Sequence, residues 1–135
     1  MSALRIEHVN VTVSDPDRVA QLLQALFDWR VRWRGPAMSG GHTIHVGDDD
    51  CYVAVYAPPN GRRDEGFAKG QPLNHIGVEV DDLDATEAKV LAAGLQTFSH
   101  GDYHPGRRFY FMDPDGIEYE VISYASATPQ SSPRA

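Results

Sequence analysis

The chain has 135 residues and a net charge of −7 at neutral pH, from 12 basic and 19 acidic side chains. This length suits one domain with its own core and is too short for two independent enzymes. Because no run of lysine or arginine could follow a phosphate backbone, we expect neither nucleic acid nor an anionic membrane as a partner.

The single cysteine, Cys51, cannot form a disulfide within the chain. The N-terminal residues lack the apolar core of a signal peptide, and no apolar stretch approaches the ~20 residues that span a bilayer. We therefore expect a cytoplasmic protein whose partner is a small molecule.

The first half of the chain predicts one helix and four strands. Residues 6–13 alternate polar side chains with valines, as a half-buried strand does. Asp15 followed by Pro16 predicts the N-cap and first position of a helix, whose apolar residues recur at helical spacing. Three short strands are predicted at 30–34, 42–46 and 52–56, between turns rich in glycine. The order is β-α-β-β-β.

The second half repeats this order. After a strand at 76–80, Asp84 and Glu87 predict a capping box, and Leu83 and Ala88 a hydrophobic staple. Gly94 suits a left-handed C-terminal cap. Strands are predicted at 96–99, 107–112 and 117–124.

These patterns predict a single domain over 1–125, built of two modules at about 5–57 and 73–124. Residues 58–72 are rich in proline, glycine and charge and are interpreted as the linker. The tail 126–135 has almost no apolar content, so we expect it to be disordered.

Each module begins with a histidine in similar surroundings: EHVNVTVSD at 7–15 contains His8, and NHIGVEVDD at 74–82 contains His75. Glu120 lies on the last strand of the second module. Two imidazoles and one carboxylate would bind a divalent metal and leave positions open for substrate. Iron, manganese, cobalt, nickel and zinc all tolerate this ligand set, and the sequence does not choose among them.

A superposition of the two modules limits the number of ligands. Matching the turn GDDD at 47–50 to DPDG at 113–116 aligns Glu120 with Ala54. The carboxylate is therefore expected in one module only, and the metal should have three protein ligands rather than four.

With His8, His75 and the motif DPDGIEYE at 113–120, the chain resembles the vicinal oxygen chelate superfamily. That group includes glyoxalase I, type I extradiol dioxygenases, fosfomycin resistance enzymes and bleomycin resistance proteins. The resemblance implies an α+β fold in which two β-α-β-β-β modules form a curved mixed sheet around a central cavity. It also implies a metal that the substrate chelates through adjacent oxygens, and a homodimer.

The branches of this superfamily differ in their site residues. Glyoxalase I has a glutamate in each half, so Ala54 disfavours its chemistry unless a partner chain supplies the missing base. Bleomycin resistance proteins lack the metal ligands that are present here. Fosfomycin enzymes share the triad and a tyrosine at the place of Tyr110, but rely on basic residues after the last strand, where this chain has none before Arg134.

Extradiol dioxygenases offer the nearest local match, since FYFMDPDG at 109–116 followed by Glu120 fits the second part of their signature. His104 lies one residue too close to fit the first part. The resemblance implies that Tyr110 hydrogen-bonds substrate or dioxygen and that His104 acts as an acid or base. We expect a metal-dependent enzyme for a small oxygen-rich or dihydroxy-aromatic substrate, with dioxygenase favoured over glyoxalase-like lyase or isomerase and thiol transferase chemistry.

Further residues are predicted to line the substrate site. By the repeat register His42, Tyr52 and Tyr56 should face the cavity. Arg108 shares the face of Tyr110 and is predicted either to bind a substrate carboxylate or to form a surface salt bridge. By alternation Glu118 shares the face of Glu120, which is preferred as the ligand because it matches the motif.

A second class of function stays open. A non-catalytic binding protein of the bleomycin resistance type would sequester an aromatic drug or metabolite in the groove between subunits. Trp29, Trp33, Tyr52 and Tyr56 would suit such a groove, and they would serve equally well in the core.

Overall fold

The computed structural model describes residues 6–37, 40–61, 69–70, 73–103 and 106–124. Within them, two helices and eight strands follow the order β-α-β-β-β twice, which confirms the predicted α+β fold. The elements are β1 (His8–Thr12), α1 (Pro16–Phe27), β2 (Arg30–Pro36), β3 (His42–Gly47), β4 (Tyr52–Ala57), β5 (Ile76–Glu79), α2 (Leu83–Ala92), β6 (Thr97–Tyr103), β7 (Gly106–Met112) and β8 (Glu118–Ser123).

The chain divides into two compact units, Met1–Glu65 and Gly66–Ala135, each with one module and one four-stranded mixed sheet. The first sheet has the order β1-β4-β3-β2, with β1 parallel to β4 and the remaining pairs antiparallel. The second has the order β5-β8-β7-β6 with the same directions. The sheets therefore correspond strand for strand.

One face of each sheet is covered by the helix of its own module. In the first module α1 packs on β3 and β4, and Leu23 of the helix is fully buried, as are Ile44 and Val55 of the strands. Burying one such side chain contributes roughly 1.5–3 kcal/mol. The alternate residues, beginning with His8 in β1 and Tyr52 in β4, leave the sheet on the opposite face.

The predicted start of α1 is confirmed. Asp15 is the N-cap, its carboxylate accepts a hydrogen bond from the backbone N–H of Arg18 at 3.3 Å, and Pro16 opens the helix. The proline has no N–H to leave unsatisfied in the first turn, and its fixed φ suits the helix.

The predicted capping box of α2 is wrong. Asp82 is the N-cap and accepts from the backbone N–H of Ala85 at 3.0 Å, so Leu83 is the first helical residue. Because Leu83 is buried, the helix begins at Leu83, and Asp82 rather than Asp84 is its N-cap. Asp84 binds Arg107 instead, and Glu87 accepts from Thr97. The staple of Leu83 with Ala88 fails for the same reason, because neither occupies its required position.

The C-terminal cap of α2 is confirmed. Gly94 has φ +85°, its N–H donates to the carbonyl of Leu91, and Leu95 donates to Val90. These two bonds form a Schellman motif, whose left-handed residue favours glycine.

The register confirms the alignment of Glu120 with Ala54 but corrects the turn before it. Ala54 lies opposite Asn10, two residues after His8, and Glu120 lies opposite Gly77, two residues after His75. The strands before the turns end at Gly47 and Met112, so four residues connect β3 to β4 and five connect β7 to β8. The two turns therefore do not superpose residue by residue as predicted. The turn of the second module has one more residue, on its N-terminal side.

β6 extends further than predicted because it contains a bulge. The register with β7 shifts between Phe98 and Gly101, and Ser99 has φ +55°. The bulge accommodates the unpaired residues without ending the strand, so His100 belongs to β6 and lies beyond the predicted strand end at residue 99. Neither helix in the described residues is long and apolar enough to cross a membrane.

Candidate metal centre

Adjacent strands of the second module place Tyr110 and Glu120 side by side. Tyr110 of β7 is the register partner of Glu120 of β8, so their side chains leave the sheet on the same face. Arg108 lies two residues before Tyr110 and shares this face, as predicted.

His75 meets Glu120 at the start of β5. Its Nε2 lies 3.1 Å from Oε1 of Glu120, and its ring stands edge-on to Tyr110 at 5.9 Å between centroids. The side chains of His75 and Glu120 are 33 % and 14 % exposed. The structure therefore brings two of the three predicted ligands together at a site that solvent still reaches.

The other ring nitrogen of His75 is held by the preceding residue. Nδ1 lies 2.8 Å from Oδ1 of Asn74, and because an amide oxygen only accepts, Nδ1 carries the proton. In a neutral ring Nε2 then has a lone pair that faces the carboxylate of Glu120. Two lone pairs at 3.1 Å repel, so the space between these atoms favours a cation, either a proton or a metal ion.

His8 repeats this arrangement in the first module. Its Nδ1 lies 3.0 Å from Oε1 of Glu7, again the preceding residue, and this carboxylate oxygen accepts a hydrogen bond from Nδ1–H in the same way. Ligating histidines are commonly oriented by such a hydrogen bond on the second nitrogen. Both histidines thus keep Nε2 for a ligand.

Arg108 binds the second oxygen of Glu120. Its Nη1 donates to Oε2 at 2.9 Å and its Nη2 to the carbonyl of Gly106 at 3.2 Å, while the guanidinium lies 4.5 Å from the ring centre of Tyr103. The paired side chains are only 11 % and 14 % exposed. The predicted salt bridge of Arg108 therefore forms, but as a largely buried pair within the candidate site and not at the surface.

The hydroxyl of Tyr110 stays protonated in this setting. Burial raises its pKa, and the negative charge of Glu120 and a hydrogen bond to it raise it further. At neutral pH Tyr110 is therefore a hydrogen-bond donor rather than a base.

Glu118 has a different partner from Glu120. Its Oε1 lies 3.5 Å from Nζ of Lys69, and its side chain is 10 % exposed. The two carboxylates share a face of β8, but His75 stands beside Glu120.

In the first module, rings stack around Tyr52. His8 stacks on Tyr52 at 4.9 Å and His45 at 4.4 Å between centroids, and the guanidinium of Arg32 lies 4.6 Å from the ring centre. Burial lowers the pKa of His45, and the nearby His8 and Arg32 lower it further. Tyr52 is therefore packed between neighbouring side chains of its own module.

The predicted neighbours of Tyr52 divide between the two faces of the sheet. Tyr56 alternates with it on the open face and lines a cavity of about 560 Å³. His42 alternates instead with Thr43, so it leaves the sheet on the helix side with buried Ile44. The prediction that His42 faces the cavity with Tyr56 is wrong.

Some partners of the candidate site were not found from sequence. Glu7 and Asn74 each precede a candidate ligand directly, and that shared position before a repeated histidine was the available signal. Lys69 gave no such signal, since it lies between the modules in a segment interpreted as linker. His104 lies outside the described residues.

Within the described ranges, no group of three or more His, Cys, Asp or Glu side chains is placed to hold a metal ion. The pair of His75 and Glu120 belongs to the second module, and His8 belongs to the first.

Comparison with known proteins identifies the family. The model of the glyoxalase/bleomycin resistance protein/dioxygenase superfamily matches residues 5–121. The chain belongs to this superfamily. A search of curated proteins gives no significant match.

Several solved structures share the fold. A domain of that description from a Frankia species is 24 % identical with TM-score 0.78, covering 90 % of this chain and 98 % of that one. Fosfomycin resistance protein FosX from Listeria monocytogenes, complexed with Mn(II) and sulfate, is 17 % identical with TM-score 0.69, covering 90 % and 93 %. TnmS3, an antibiotic binding protein from a Streptomyces species, is 20 % identical with TM-score 0.70, covering 91 % and 98 %.

Proposed function

We propose that this protein is a divalent-metal-dependent enzyme that acts on a small oxygen-rich or dihydroxy-aromatic substrate, with dioxygenase as the first candidate reaction. The observation that carries the proposal is the pair of His75 and Glu120. A ring nitrogen and a carboxylate oxygen face each other at 3.1 Å, while Asn74 holds the other nitrogen.

The distance within this pair suits a metal. Two donors that each lie about 2.1 Å from an ion and subtend a right angle are about 3.0 Å apart. One imidazole and one carboxylate also suit iron, manganese, cobalt, nickel and zinc, so the donor chemistry leaves the metal identity open.

We assign His8 as the third donor. Its support is the shared orientation of the two histidines, because Glu7 holds Nδ1 of His8 as Asn74 holds Nδ1 of His75. Either the same chain or the second chain of a homodimer supplies this histidine. The Mn(II) bound to FosX, a protein of the same fold, supports a divalent ion.

Each residue of the centre then has a role. A bound divalent metal would supply Lewis acidity toward substrate oxygens. Arg108 holds Oε2 of Glu120 and directs Oε1 toward His75. Tyr110 remains protonated and donates a hydrogen bond to Glu120 or to a substrate oxygen.

A second candidate function is binding without catalysis. It is favoured by the partners of Glu120, since His75 and Arg108 neutralise the carboxylate from both sides when His75 is protonated. The centre is then satisfied without an ion. TnmS3, which shares the fold, is an antibiotic binding protein, and a drug or metabolite is the corresponding ligand here.

Reconstitution with Mn(II) separates the two candidates. After dialysis of the metal-free protein, elemental analysis should give stoichiometric manganese in wild type and a large loss in His75→Ala and Glu120→Gln. Glu118→Gln is the matched control, because it removes a carboxylate charge from the same face but not from His75, and it should retain manganese. A wild type that takes up none of manganese, iron, cobalt, nickel and zinc stoichiometrically would contradict the metal-dependent enzyme.

The reaction branch is tested with the Fe(II)-loaded protein. Oxygen uptake with catechols is expected for the dioxygenase. Stoichiometric metal without oxygen uptake would leave glyoxalase-like lyase or isomerase chemistry, or thiol transfer, as the activity.

A further inference from the structure

The bulge in β6 determines which side chains of that strand face the candidate metal centre. Phe98 is the register partner of Tyr110. Gly101 is the partner of Arg108, so three steps along β6 match two along β7. The additional residue lies at the bulge, where Ser99 has φ +55°. Because side chains alternate along a strand, one additional residue moves every later side chain of β6 to the opposite face.

This change of face brings Tyr103 to the side of Arg108. Tyr103 lies two residues after Gly101, the register partner of Arg108, and therefore leaves the sheet on the same face as Arg108. Without the bulge, Asp102 would occupy this face and Tyr103 would leave the sheet on the face of α2. The bulge thus places an aromatic ring, and not a carboxylate, beside the guanidinium.

Gly101 leaves the space that the ring of Tyr103 occupies. A Cβ atom at position 101 would lie 2.8 Å from Cε1 of Tyr103, well inside the roughly 3.5–4.0 Å at which carbon atoms pack. The ring therefore lies over the backbone of Gly101 and reaches Arg108, whose Cζ is 4.5 Å from the ring centre. Gly101 is not among the glycines with a positive φ, so glycine is required here for space and not for backbone conformation.

The ring adds a contact that the hydrogen bonds of Arg108 do not provide. Nη1 and Nη2 donate to Glu120 and to the carbonyl of Gly106, but Nε is buried without a hydrogen-bond partner among the described residues. A guanidinium over a tyrosine ring is held most strongly where water is excluded, and the side chain of Arg108 is only 11 % exposed. Tyr103 is itself exposed, so its ring lies between the guanidinium and solvent.

We propose that Tyr103 is a positioning residue for Glu120 that acts through Arg108. The ring restricts the guanidinium, and the guanidinium holds Oε2 of Glu120, so that Oε1 faces His75. Gly101 and the bulge are the backbone features that place the ring. The importance of this arrangement for metal binding rests on the proposed function, whereas the placement of the carboxylate requires no metal.

The first test is NMR of the metal-free full chain labelled with ¹⁵N and ¹³C, with Arg108→Gln and Glu120→Gln to assign the signals. Tyr103→Leu should move the Nε–H signal of Arg108 downfield, because the ring current is lost, and should shift the carboxyl carbon signal of Glu120. Tyr103→Phe keeps the ring and should keep both signals in place. Gly101→Ala should act like Tyr103→Leu, because its Cβ displaces the ring.

The second test measures manganese affinity by competition with a chelator. Tyr103→Leu should weaken binding about three- to tenfold, and Tyr103→Phe should retain wild-type affinity. In an Arg108→Gln background, Tyr103→Leu should have no further effect, because the ring acts only through Arg108. Since Tyr103 is exposed, folding is not at risk in these variants.

The positioning role is overturned if Tyr103→Leu leaves the signals of Arg108 and Glu120 in place. It is also overturned if Tyr103→Leu lowers manganese affinity equally with and without Arg108, since a general structural role would act in both backgrounds. Metal stoichiometry of the wild type reports on the proposed function alone, and the signals of the metal-free protein report on the positioning role, so the two failures are distinguishable.

Discussion

Ala54 and Glu120 occupy the same register position in the two modules. Each lies opposite the residue that follows its module's histidine by two positions, Asn10 in one case and Gly77 in the other. The first module therefore presents a methyl group where the second presents a carboxylate. No side chain at the symmetric position can replace Glu120, so the chemistry of the centre depends on the partners of this one residue.

Arg108 is expected to control how Glu120 binds a metal. It occupies Oε2 and leaves Oε1 for the ion, so Arg108→Gln should allow the carboxylate to turn or to bind through both oxygens. Loss of such a supporting hydrogen bond typically costs about 10- to 100-fold in metal affinity. Competitive titration with a chelator measures the affinity, and the Mn(II) electron paramagnetic resonance spectrum reports the changed ligand field.

Arg107→Gln is the matched control for this variant. Arg107 is the neighbour of Arg108 in β7, but it pairs with Asp84 of α2. Its replacement should leave the spectrum unchanged. An Arg108→Gln protein with wild-type affinity and spectrum would show that Arg108 does not position Glu120.

Tyr110→Phe should reduce turnover without removing the metal. The raised pKa of Tyr110 keeps its hydroxyl protonated at neutral pH, so it can donate to a substrate oxygen. Loss of a positioned proton donor lowers kcat/KM by about 100-fold or more. Oxygen uptake with the best catechol measures the rate, and elemental analysis checks that manganese binding persists. Tyr103→Phe, which keeps the ring under Arg108, should have little effect.

The link between α2 and β6 predicts an acid-dependent loss of stability. Burial raises the pKa of Glu87, but hydrogen bonds from His100 and Thr97 outweigh it and hold the pKa below its usual value of 4.5. A carboxyl group with a lowered folded-state pKa contributes stability above its unfolded pKa, and this contribution disappears as the pH falls through the folded value.

Glu87→Gln should therefore lower the Tm at pH 7, and the difference from wild type should shrink steadily below about pH 4.5. Thermal unfolding followed by circular dichroism at several pH values measures this difference. A deficit that is constant from pH 7 to strongly acidic conditions would indicate that packing, and not the ionised carboxylate, is responsible.

Asp82→Ala tests the N-cap of α2. Loss of the bond to the N–H of Ala85 should cost about 1 kcal/mol of unfolding free energy, as at other N-caps. Asp84→Ala is the comparison, and because Asp84 is an exposed partner of Arg107, its replacement should cost less. Urea denaturation gives both values, and the reverse order would support Asp84 as the cap.

The N-caps of the two helices show where the sequence pattern was sufficient to predict a helix start and where it failed. At Asp15 the proline that follows leaves a single start for the helix, and the prediction is confirmed. Before α2, Asp82 and Asp84 both satisfy the local pattern. The choice depends on the burial of Leu83, which is a tertiary contact that periodicity does not reveal.

The candidate site likewise has one part that the sequence predicted and one part that it did not. Repetition along the chain was enough to align Glu120 with Ala54, because β1 and β5 pair with β4 and β8 in matching register. The pair of Arg108 and Glu120 depends instead on which residues of β7 and β8 lie side by side. The turn between β7 and β8 is one residue longer than the turn between β3 and β4, and this changes how β7 is aligned with β8. A pattern of turn-forming residues does not reveal such a difference in length.

The residues that hold Nδ1 of the two histidines are their immediate neighbours in sequence. Each imidazole is thus held at Nδ1 by the residue before it, in addition to the contacts of His75 with Glu120 and of His8 with Tyr52. A ring that is already hydrogen-bonded before an ion arrives has less rotamer entropy to lose on binding, so the ligand is partly preorganised. A Glu-His or Asn-His pair at a strand start is therefore a transferable unit for presenting Nε2 in a designed metal site.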